Sequence, residues 1–124
     1  MKVRAAGPGD LAALHGADAE YAALAPPELR ATGDRLELVA DVDGEIAGAI
    51  VAHVAGARLR VDYLVTANGH RGRGYAARLA EAAEAWGRER GATVAEIWTD
   101  GAVPFWKGRM AYAEGSFHLR KRLA

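Results

Sequence analysis

Glycines at 69, 72 and 74 and arginines at 71 and 73 crowd into one short segment, Asn68-Gly69-His70-Arg71-Gly72-Arg73-Gly74-Tyr75-Ala76. Residues without a Cβ let an anion approach the main chain, and arginine adds charge and hydrogen-bond donors. Immediately downstream, Tyr75, Leu79, Ala82 and Trp86 recur at helical spacing, with Glu84 four residues before Arg88 on the polar side. This pattern predicts a helix that begins near Tyr75 and is ended by Gly91. The first-turn amides of such a helix have no internal acceptor, and its dipole places partial positive charge at the same end. The chemistry predicted for this turn is therefore the binding of a phosphate. No Gly-Lys-Ser or Gly-Lys-Thr follows, which removes a Walker-type nucleotide loop. RNA-binding Arg-Gly tracts accompany disorder or a basic surface rather than an ordered amphipathic helix.

A loop can hold an anion only if neighbouring elements fix its ends. Upstream, Leu36, Leu38, Ala40 and Val42 alternate with Glu37 and Asp41, the period of a half-buried strand. Asp43-Gly44 suits a type I′ hairpin turn, and the return strand, Glu45 to Val54, is apolar enough to be central. After Ala55-Gly56-Ala57, the run from Arg58 to Thr66 is expected to place Leu59, Val61, Tyr63 and Val65 on one face. Arg60, Asp62 and Leu64 fall on the other. The predicted helix leads to a strand at Thr93 to Thr99, so strand, loop, helix and strand form a parallel crossover in a mostly antiparallel sheet.

The ends read less regularly. Lys2 to Ala5 is a short strand, Asp10 is placed as an N-cap, and Leu14, Ala17, Tyr21 and Leu24 have helical spacing up to Pro26-Pro27. A short helix around Val103 to Met110 and strand pieces at Ala111 to Ala113 and Ser116 to Leu123 complete the chain.

At 124 residues, the sequence fits one domain, 1–124, with a single core. Without cysteine it has no disulfides, thiolate metal site or cysteine nucleophile, and no metal site is expected. The 16 basic and 16 acidic residues cancel, which argues against a dedicated nucleic-acid binder. No apolar run approaches the roughly 20 residues of a membrane span, and no secretory signal is apparent, so a cytoplasmic protein is expected.

The turn resembles the cofactor signature of the GCN5-related N-acetyltransferase superfamily: Gln or Arg, two residues, Gly, one residue, then Gly or Ala. Arg71, Gly74 and Ala76 fill those places. The resemblance extends to the family's second and third strands, matched by Leu36 to Gly48, and to Phe105-Trp106-Lys107-Gly108-Arg109-Met110-Ala111-Tyr112. It implies an α+β fold, an α/β/α sandwich of the acyl-CoA N-acyltransferase type around a mixed, mostly antiparallel twisted sheet. It also implies an enzyme that moves an acetyl group from acetyl-coenzyme A directly to a primary amine. Arg71, Gly72, Arg73, Gly74, Tyr75 and Ala76 would cradle the cofactor pyrophosphate. Main-chain amides at Leu64, Val65 and Thr66 would face the thioester, and Trp106 would border the cofactor.

Such a transfer requires the free amine, and for a lysine-like pKa near 10.4 deprotonation at pH 7 costs about 4 to 5 kcal/mol. The resemblance makes Asp62 the candidate base, because the family often carries an acid two residues before the leucine matched by Leu64. On the strand pattern alone, Asp62 reads first as a surface ion-pair partner for Arg60, ahead of any catalytic role. Many relatives place a tyrosine where this chain has Trp106, and an indole does not donate a proton to a leaving thiolate. Tyr112 and Tyr63 both read as packing residues. The acceptor is a small-molecule or peptide amine, and a homodimer could complete its pocket. The alternative is a catalytically weak acyl-coenzyme-A-binding module acting as sensor or partner subunit.

Overall fold

The structure is a computed structural model that describes residues 1–7, 9–10, 35–67, 69–97, 105–114 and 119–123. The strands are β1 (Lys2–Ala5), β2 (Arg35–Val42), β3 (Glu45–Ala55), β4 (Arg58–Thr66), β5 (Val94–Ile97), β6 (Ala113–Glu114) and β7 (Leu119–Arg122). They form one sheet in the order β1-β2-β3-β4-β5-β7-β6. All neighbouring pairs are antiparallel except β4 and β5, which are joined by helix α1 (Tyr75–Glu89) in the expected parallel crossover. The β2–β3 turn has φ of 51° at Asp43 and 88° at Gly44, as a type I′ turn requires. The helical pattern from Leu14 to Leu24 lies outside the described residues. Asp10 accepts from the Gly7 amide at 2.7 Å and from Arg4 at 2.9 Å, ties that hold the end of β1.

Alternation in β4 does not run through. Opposite β3, Val51 pairs with Tyr63 and Ala52 with Val61, leaving Asp62 as an extra residue. This bulge moves every later side chain to the other face. Leu59, Val61 and Leu64 consequently pack with Ile50, Ala52 and α1, whereas Tyr63 and Val65 join Val39, Ala49 and Val51 beneath the sheet. The single-faced stripe expected from periodicity is thereby corrected. Nothing in the strand's composition marks the inserted residue.

The face of α1 is corrected too. Its buried residues are Ala77, Leu79, Ala80, Ala83, Glu84 and Gly87, while Tyr75 and Trp86 flank them. Glu84 is therefore not an exposed partner for Arg88. Its carboxylate accepts from the Tyr112 hydroxyl at 3.0 Å and from Lys121 Nζ at 2.9 Å, and Arg88 instead donates to the Leu123 carbonyl at 3.0 Å. Tertiary partners supplied by β7 and the chain before β6 make burial of this charge affordable. Phe105–Arg109 forms a single wide helical turn closed by Met110 N–H to the Phe105 carbonyl at 3.0 Å. Trp106 packs edge-on against Phe105 and Tyr112, with ring centroids 5.1 and 5.0 Å apart.

Candidate active site

The turn between β4 and α1 takes the conformation that its glycines permit. Gly72 and Gly74 have φ of 78° and 80°, in the left-handed region where a Cβ is strained, and Gly74 occupies the N-cap of α1. No side chain caps this helix end and its first turn contains no acidic residue, so its amides and dipole are left for an external anion. Arg71 and Arg73 are exposed at the rim, with no ion pair to another described residue.

This end of the helix opens into a pocket of about 290 Å³ lined by Thr66, His70, Gly72, Gly74, Tyr75, Ala76, Ala77, Phe105 and Arg109. Of the residues singled out in the sequence, Thr66, Gly72, Gly74, Tyr75 and Ala76 line this one pocket. Leu64 and Val65 are not among the residues that line it, and their side chains enter opposite cores. Trp106 is only 2% exposed and does not line the pocket; its neighbour Phe105 does. Sequence reasoning also passed over His70, Ala77 and Arg109. The Phe105 to Arg109 spacing offered one signal, because residues one helical turn apart share a face.

Pairing of β4 with β5 runs from Arg58 with Val94 to Val61 with Ile97, the last described residue of β5. The next residue of β4 is Asp62. Its Oδ2 lies 2.7 Å from His53 Nδ1, and the two side chains are 11% and 9% exposed. His53, rather than Arg60, is its close partner. Burial pushes the Asp62 carboxyl above the ordinary aspartate value, against the lowering effect of the His53 hydrogen bond and the fields of His53, Arg35 and Arg60. Tyr112, whose hydroxyl is committed to Glu84, is pushed upward by burial and by that carboxylate.

The described residues thus form a mixed, mostly antiparallel sheet whose one parallel crossover enters α1 through a glycine-built turn beside a pocket. The chain belongs to the Acetyltransferase (GNAT) family, whose sequence profile matches residues 11–111. Among solved structures, it resembles a GNAT family acetyltransferase from Brucella melitensis in complex with acetyl-CoA, with TM-score 0.75 and 18% identity over 99% of this chain and 88% of that one. It also resembles the GNAT family N-acetyltransferase YhbS from Escherichia coli in complex with CoA, with TM-score 0.73 and 21% identity over 99% and 81%. Nourseothricin acetyltransferase is 26% identical, with TM-score 0.61 over 71% of this chain, which spans 64% of that protein's length. No curated protein sequence matches. Among the described residues, no helix is long and apolar enough to cross a membrane.

Proposed function

We propose that this protein is an N-acetyltransferase that passes the acetyl group of acetyl-coenzyme A directly to a primary amine on a small molecule or peptide. The observation that carries the reading is the uncapped, acid-free N-terminus of α1, entered through Gly72 and Gly74 and opening into a pocket that Thr66 of β4 also lines. Gly72, Gly74, Tyr75 and Ala76 receive the pyrophosphate on backbone amides, with Arg71 and Arg73 supplying charge at the rim. Main-chain amides at Leu64 to Thr66 bind the thioester oxygen as negative charge grows on it. Asp62 accepts a proton from the substrate ammonium, and the free amine attacks the carbonyl carbon. As the C–N bond forms and the C–S bond breaks, a second amine proton passes to the departing sulfur. The scheme needs neither a nucleophilic side chain nor a tyrosine acid.

This reading includes a cytoplasmic setting, leaves nucleic acid out, and takes a second copy of the chain as the element that completes the acceptor side. A binding module without turnover is the second reading, favoured by the burial of Trp106 and the engagement of Tyr112 by Glu84. Release of free thiol from acetyl-coenzyme A across an amine panel tests the proposal. Turnover with at least one amine is expected; tight cofactor binding without thiol release would establish the second reading instead.

A further inference from the structure

His53 lies on β3, and no part of the motif reading assigns it a task. The register of the sheet places Arg35 of β2 on one side of it and Arg60 of β4 on the other. The charged or titratable groups facing it among the described residues are Arg35 and Glu37 of β2 and Arg60, Asp62 and Tyr63 of β4. Arg35 Nε lies 2.8 Å from Glu37 Oε1, so that pair partly neutralises itself. Asp62, two residues beyond Arg60, falls on the same face by ordinary alternation, and it is the extra residue of the bulge opposite Val51 and Ala52. Bulges are commonly found beside active sites.

We propose that His53 is the positioning residue for Asp62: its Nδ1–H donates to Oδ2, fixing the carboxylate so that Oδ1 is presented to the substrate ammonium. This inference rests on the acetyltransferase reading and gives its proton acceptor a defined geometry. An ionised carboxylate beside a neutral imidazole requires the tautomer that carries hydrogen on Nδ1, since two facing lone pairs would repel. The same hydrogen bond favours ionised Asp62 and opposes the effect of burial. It therefore extends towards lower pH the range in which Asp62 can accept a proton. Removing the donor leaves burial opposed only by the fields of Arg35 and Arg60 and moves that range upward.

The test compares parent, His53→Phe, His53→Asn and Asp62→Asn protein. Thiol-release rates are measured against pH with the best amine from the panel, and the Asp62 carboxyl carbon is followed by NMR titration in the first three. Asparagine carries an amide nitrogen close to the place of Nδ1. Expected for His53→Phe is a fall in kcat of about ten- to a hundredfold, the range for losing a hydrogen bond to a charged group. The KM for acetyl-coenzyme A stays unchanged, and both the acid limb of the rate profile and the Asp62 titration move to higher pH. His53→Asn restores most of the rate and returns both titrations towards the parent, whereas Asp62→Asn abolishes the acid limb. Parent-like profiles and Asp62 titrations in folded His53→Phe would overturn the inference, as would failure of asparagine to rescue. Absence of thiol release from parent protein would overturn the acetyltransferase reading, while the NMR titration would still decide whether His53 governs Asp62.

Discussion

Gly74 and Gly91 stand at opposite ends of α1 with nearly the same backbone, φ of 80° and 84°, and a Cβ built on either meets no atom within 4 Å. Substituting alanine at each imposes similar left-handed strain without a clash, a cost of about 1 to 2 kcal/mol. For a chain of 124 residues, that lowers the melting temperature by roughly 3 to 10 °C. Of these two glycines, Gly74 lines the pocket and Gly91 does not. Its new methyl group projects into open space at the helix entrance, where the pyrophosphate is proposed to lie, and relaxing the strain re-aims the first amides of α1. Gly74→Ala is therefore expected to weaken coenzyme A binding by about a hundredfold or more, equivalent to some 2.7 kcal/mol. Gly91→Ala should bind like the parent while losing similar stability. Calorimetric titration of coenzyme A against both variants, with melting curves of the free proteins, separates anion recognition from folding. Equal loss of affinity in both would show that stability alone is being read. Parent-like binding by folded Gly74→Ala would show that the anion site has been placed wrongly.

Arg71→Ala should be milder, a loss of about ten- to a hundredfold in affinity, because it removes one charged donor and leaves the amides in place; dephospho-coenzyme A should still bind and pantetheine only weakly, as competition titrations would report. Tyr112→Phe takes a donor from buried Glu84 and should lower stability by about 1 to 3 kcal/mol in denaturant melts with little change in kcat, whereas a phenol acting as acid would lower kcat instead. Hydrogen bonds from Arg4 hold Asp10 and Asp41 below the usual carboxylate range, so their contribution is complete above the unfolded value near 3.9 and is lost as pH falls through the lower folded values. The melting-temperature difference between parent and Arg4→Ala should accordingly shrink below about pH 4, and a difference that persisted at pH 2 would contradict the assignment.

Local signals carried the glycine turn before α1 and the succession of elements along the chain from β2 to β5. Gly72, Gly74 and the helix that starts at Tyr75 adjoin one another in the chain, so backbone freedom, orphan amides and dipole could be read from residue types alone. The Asp43-Gly44 turn and the alternation of β2 were legible for the same reason. What tertiary structure decided lies across the sheet. One extra residue at Asp62 gives no signal in composition, yet it reverses the faces of Tyr63, Leu64 and Val65, because side-chain direction follows register. The contact of Asp62 with His53 needs the pairing of β4 with β3. Glu84 looked like a surface acid until Tyr112 and Lys121 arrived from the C-terminal segment to satisfy it. The pocket wall at Phe105 and Arg109 likewise reaches Gly74 only through folding. Periodicity reports whether a residue is suited to burial, whereas its partners depend on contacts between elements distant in the chain.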